Sequence, residues 1–259
     1  MSDRGVKQSK PKEAKAIAWR GPLTPAGAAE GINAAYRNAR RLLSDAEKLF
    51  ITGSFPTATA LAVLAIEEYG KPAIIHRILL AKTDRARREH WREYTSHTAK
   101  NTPWVVPNLI KAGAKTVDDF RPLFDETSLH RFVLDDFKQW GFYTECRGAE
   151  WSEPARTITG ENCRETLDTA RTLLSTVRNY TAEQMQCYVK HCSPVWTERA
   201  EDADTNAIRE AMKNYATECQ QRGWMSLGVD PADFFTPKPV PVQSGEESSN
   251  REPQKKEVE

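Results

Sequence analysis

Residues 24–81 constrain the fold more than any other stretch of the chain. Thr24-Pro25 reads as an N-cap followed by proline at the first helical position. Ile32, Ala35, Ala39, Leu42, Leu43, Ala46, Leu49 and Phe50 then recur at three-and-four spacing, one apolar stripe along a helix. Gly53 stops that helix, and Ser54-Phe55-Pro56 starts another through an alanine-rich run. Small residues at Ala58, Ala60, Ala62 and Ala65 allow a neighbouring helix close approach. Two long helices joined by so short a turn pack antiparallel, which is the start of a helical bundle. Its core is expected to include Leu42, Leu61, Leu64 and Ile66. Pro72, with no N–H and a ring that clashes with the preceding turn, is expected to kink or divide the second helix.

The rest of the chain fits the same class. Thr83-Asp84 caps a third helix expected to run to about Lys100, ended by Asn101-Thr102-Pro103. Residues 103–130 hold prolines, an isolated glycine and Thr116-Val-Asp-Asp, and read as loop with short helices. Leu129 to Trp140 is helical in pattern. The aromatic-rich stretch from Gly141 to Pro154 suits an excursion containing a short hairpin. Thr159 reopens a helix carried by Leu167, Ala170, Leu173, Leu174 and Val177 toward Cys187. A last helix spans about Thr205 to Arg222, before Gly223. The expected fold is all-α, an antiparallel helical bundle with an irregular aromatic-rich insertion. Residues 1–20 read as a disordered basic arm, 24–235 as the helical domain, and 236–259 as a solvated Pro/Glu/Lys tail.

At 259 residues and 39% hydrophobic content, the chain can bury one sizeable core. A net charge of +1 gives no global attraction to nucleic acid, so any such contact needs a local patch. One exists between Lys71 and Asn101, where eight Lys or Arg stand against Asp84, Glu89 and Glu93. No apolar run reaches the ~20 residues of a membrane span, and the N-terminus lacks a signal-peptide core. Five scattered cysteines without a Cys-x-x-Cys pair suit a reducing, cytoplasmic setting. Cys187, His191 and Cys192 are metal-ligand types in close order. A four-ligand set at recognisable spacing is missing, so buried or incidental thiols are the plainer reading. Glu-x-x-His pairs for a di-iron bundle are absent, and no metal or other cofactor is expected.

Two polar groupings carry possible chemistry. Glu67, Glu68 and Lys71 close the apolar run of the second helix, followed at Gly70 by room for a backbone or ligand. A carboxylate here could position Arg92 or His97 from the facing helix while Lys71 attracts a phosphate; the plainer reading is a Glu68–Lys71 helix-surface ion pair worth little. Further on, Arg-x4-His occurs twice, as Arg85 with His90 and as Arg92 with His97. An imidazole changes protonation near neutral pH and can take or return a proton at a reacting oxygen. A guanidinium can grip a phosphate. On one continuous helix, five positions put the two groups about 140° apart. Glu93, one turn before His97, could orient its ring; Lys100, one turn after, could reach a phosphate.

Glu67-Glu68-Tyr69-Gly70-Lys71, then Arg92-x4-His97-x-x-Lys100, then Lys138, Tyr143 and Trp151-x-x-Pro154 resemble the AbiV-type abortive infection proteins of the HEPN superfamily. The resemblance covers roughly residues 24–200. It implies an all-α domain, a homodimer whose two motifs share one cleft, and a bacterial anti-phage role. It also favours Arg92 and His97 over Arg85 and His90 as a catalytic pair, with Glu67, Glu68, Lys71 and Lys100 in support, beside the Glu93 that spacing alone suggests. Many HEPN proteins are metal-independent ribonucleases, and AbiV proteins are linked to translation arrest. Glu93 departs from the small polar residue that active HEPN ribonucleases often place after the arginine. Two activities therefore stand: RNA cleavage, or non-catalytic binding of a phage protein or of the translation machinery.

Overall fold

A computed structural model describes residues 18–124, 130–198, 202–225 and 230–237. The expected basic arm and C-terminal tail lie almost wholly outside them. Helix α1 (Pro25–Ile51) starts at Thr24, whose side chain accepts from the Gly27 N–H. It turns at Gly53, where φ is +78°, and returns as α2 (Phe55–Leu80). Helix α2 is apolar on nearly every side, as a helix enclosed by neighbours must be. It packs on α1, on α3 (Asp84–Thr95), on the one-turn α4 (His97–Lys100), on α6 (His130–Phe142) and on α8 (Gly160–Ser175). Between α4 and α6 lie 3₁₀ turns at Thr102–Val105 and Val117–Phe124, with the short α5 (Val106–Lys111) between them.

Strands β1 (Glu145–Arg147) and β2 (Glu150–Ser152) form the hairpin of the aromatic stretch, pairing Cys146 with Trp151. After α7 (Pro154–Thr157), α8 opens with a capping box between Thr159 and Asn162. Then come α9 (Ala182–Cys192), α10 (Thr205–Gln221) and α11 (Pro231–Phe235).

The core has two parts. Leu42, Leu43, Val63, Ile66, Leu167 and Leu173 fill one, with Leu61 and Leu64 partly buried against it. Ile32, Tyr36, Ile75, Met185, Tyr188 and Tyr215 fill the other, where α9 and α10 meet α1 and α2.

Three expectations are corrected. Of the two outcomes expected at Pro72, a kink or a division of α2, the second does not occur, since the helix runs through it. The ring forfeits one helical hydrogen bond, but Ile66 before it and Ile74, Ile75 and Ile78 after it are all buried, and their packing outweighs that loss. The third helix does not reach Lys100. Ser96 turns extended (φ −75°, ψ 134°), so α3 stops at Thr95 and α4 restarts at His97. The helix begun at Thr159 ends at Ser175, and Thr181 caps a separate α9, accepting from the Gln184 N–H.

Candidate active site around Glu67

Glu67 stands in the middle of α2, on an apolar helix, and is only 3% exposed. An isolated carboxylate there would be costly, so it must be paired. Lys138 of α6 donates to its Oε1 at 2.7 Å. His97 of α4 places Nδ1 2.7 Å from its Oε2. Lys100 Nζ stands 3.7 Å from the same oxygen. Asp135, one turn before Lys138, pairs with it at 2.7 Å. The cluster thus ties two elements, α4 and α6, to one buried carboxylate of α2.

Gly70 explains how α4 reaches α2. A Cβ at this position would lie 2.0 Å from the Lys100 carbonyl oxygen. Only a residue without one lets that backbone settle on the helix. Ser96 ends α3 and, through its Oγ, accepts from the Ala99 N–H at 3.5 Å, so one residue both breaks the helix and starts the turn that carries His97.

Charge in the cluster is balanced. Burial works against the Lys138 ammonium, but Asp135 and Glu67 prevail and hold its pKa above the usual lysine value. Burial wins at Lys100, whose pKa is lowered despite Glu67. The His97 side chain is 55% exposed. With Nδ1–H directed at Glu67, the ring keeps the tautomer in which Nε2 is the basic nitrogen.

The other expected residues are arranged differently. Arg92 is 77% exposed on α3 and, among the described residues, reaches only Glu89, at 3.8 Å. It belongs to an exposed basic face with Arg85 and Arg88, and the break at Ser96 separates it from the turn bearing His97. Glu93 does not orient His97; it bonds His90 at 3.2 Å and Arg77 at 3.0 Å. Burial opposes its ionisation, yet His90 and Arg77 bring its pKa below the usual value. Lys100 is buried against Glu67 rather than extended toward solvent. Glu68 and Lys71 do form the helix ion pair, at 2.6 Å and largely buried, with Lys71 Nζ also 5.0 Å from the centre of the Tyr94 ring.

Lys138 and Asp135 are the members of the cluster that local reading did not assign to it. The available signal is a lysine flanked by Leu134 and Phe137 on an apolar face, with an acid one turn earlier. Tyr143 and Trp151, by contrast, are 63% and 72% exposed, with Phe142 beside Tyr143.

Comparison with known families matches residues 27–175 to the AbiV model of HEPN domains. No curated protein and no solved structure matches the chain. Among the described residues, no helix is long and apolar enough to cross a membrane.

Proposed function

Because this chain belongs to the AbiV family of HEPN proteins, we propose that it acts in bacterial abortive infection as a metal-independent endoribonuclease that arrests translation. The supporting observation is the 2.7 Å contact from the buried Glu67 to His97 Nδ1, with the ring half exposed. A carboxylate that orients an imidazole and leaves its other nitrogen open is the arrangement a general base needs. His97 Nε2 takes the proton of an RNA 2′-hydroxyl, and the 2′-oxygen attacks the adjacent phosphorus. The bond to the 5′-oxygen breaks, leaving a 2′,3′-cyclic phosphate and, after proton return, a free 5′-hydroxyl. Arg92, long and weakly held, grips the phosphate oxygens; the Arg85–Arg88–Arg92 face guides the strand. A homodimer, the usual HEPN arrangement, brings a second arginine to each histidine.

A second reading rests on the distance in fold between Arg92 and His97, and on the exposed Tyr143 and Trp151. In it, the domain binds a phage protein or the translation machinery through that aromatic surface and cuts nothing.

Incubation of the purified protein with cellular RNA in EDTA separates the two. The enzyme reading expects fragments ending in cyclic phosphate, and a severe loss in Arg92→Lys, since a point charge cannot replace a two-pronged grip. Intact RNA, together with growth arrest abolished by Trp151→Ala or Tyr143→Ala, would establish the binding reading instead.

A further inference from the structure

Outside the family-matched region, α9 and α10 bring together three side chains of mixed ligand chemistry. Cys187 and His191 lie one turn apart on α9, and Glu218 faces them from α10. One ligand atom from each falls within 4.8 Å of the other two. We propose that Cys187 Sγ, the His191 imidazole and Glu218 Oε2 form a zinc site that clasps α10 to α9, with solvent completing the coordination.

The donor set suits the ion. Zinc takes thiolate, imidazole and carboxylate together, at roughly 2.3 Å to sulfur and 2.0–2.2 Å to nitrogen and oxygen. His191 Nε2 and Glu218 Oε2 are 2.8 Å apart, and admitting the ion between them widens that separation to only about 3.3 Å. Cys187 is buried, whereas His191 and Glu218 are 19% and 18% exposed, so the ion can enter from the surface.

Two cations already face Glu218, and they divide its oxygens. Arg222 holds Oε1 at 2.8 Å, while Lys190 holds Oε2 at 2.9 Å. Lys190 is 65% exposed and gives up its contact cheaply. Arg222 keeps its oxygen and aims the other at the metal, as an outer-shell partner does. Lys190 is therefore a competitor of the ion and Arg222 a supporter. An ion pair of purely structural purpose would give them no such opposite signs.

Metal-free protein is titrated with Zn²⁺ against a chromophoric chelator, and with Co²⁺ to look for thiolate-to-cobalt charge transfer. One equivalent is expected to bind, with the charge-transfer band present. Cys187→Ser, His191→Ala and Glu218→Ala are each expected to weaken binding by at least about 100-fold, the upper end of what losing a mere outer-shell partner costs. Circular dichroism confirms that the variants are folded. Lys190→Ala is expected to tighten binding and Arg222→Ala to weaken it. Cys146→Ser, at an exposed cysteine in the hairpin, leaves binding unchanged. Absence of stoichiometric binding, binding that survives loss of Cys187, or binding lost with Cys146 alone would each overturn the site.

Discussion

Gly70→Ala sets two physical effects against each other. Within a helix, replacing glycine by alanine ordinarily stabilises by about 1 kcal/mol, because the unfolded chain loses freedom. Here the added methyl would lie 2.0 Å from the Lys100 carbonyl oxygen, and 2.8 Å from its carbon, where ordinary contact begins at 3.4 Å. The obstacle is backbone, so the His97–Lys100 turn must retreat by about 1.4 Å, which carries the imidazole beyond reach of Glu67. Overpacking of this kind costs about 1–3 kcal/mol, and a hydrogen bond to a charged group is worth about 1.5–3 kcal/mol, discounted here because His97 is half exposed. The net expectation is destabilisation by about 2 kcal/mol, or a melting temperature about 4–8 °C lower. Gly31→Ala supplies the control, since its new methyl would meet only Ile75 Cδ1 at an ordinary 3.5 Å. Thermal unfolding of both variants decides. A Gly70→Ala protein as stable as Gly31→Ala, or more so, would refute the close approach of α4 to α2.

Lys138→Met leaves Glu67 buried with much of its compensation gone and is expected to cost about 3–5 kcal/mol in urea unfolding; a loss below 1 kcal/mol would contradict the buried pairing. His76, whose Nδ1 lies 2.8 Å from the Pro72 carbonyl, packs against Tyr180 and Tyr188. Burial lowers its pKa to about 4, against the pull of that carbonyl. The unfolded chain takes up a proton below pH 6.5 that the folded chain refuses until about pH 4, so stability falls as pH drops through this window, by about 3 kcal/mol in all. His76→Phe is expected to remove that dependence; identical pH profiles for variant and parent would count against it.

Local pattern revealed the bundle because its helices are long and periodic and punctuated by Gly53 and by the caps Thr24, Thr83 and Thr159. It did not reveal the break at Ser96, since Ser-His-Thr-Ala-Lys has no residue that forbids a helix. That break depends on α4 docking at Gly70, a contact made across thirty residues of chain. Pro72 did not divide α2 for the opposite reason: a strong local breaker was overruled by burial on both sides. The Glu-Glu-x-Gly-Lys run was legible as a site candidate, yet its meaning was divided. Glu67 turns inward and Glu68 pairs with Lys71 on the same helix. The partner that matters most for Glu67, Lys138, is 71 residues away, beyond any spacing rule. Two acids were open to hold His97, Glu93 at helical distance in sequence and a carboxylate of the Glu67-Glu68 pair from the facing helix; the second is the one that does.

We propose His97, held by Glu67, as the acid–base group of an RNA-cleaving site. Its most direct test compares initial rates of RNA cleavage in EDTA for the parent protein, His97→Ala and His90→Ala. His90 serves the ion cluster of Glu93 and Arg77, so its loss should leave most of the rate. Loss of His97 should lower the rate by about 10²–10⁴-fold, the usual worth of a positioned proton-transfer group, with the fold unchanged. Full activity in His97→Ala, or inactivation by His90→Ala alone, would rule out that role for His97.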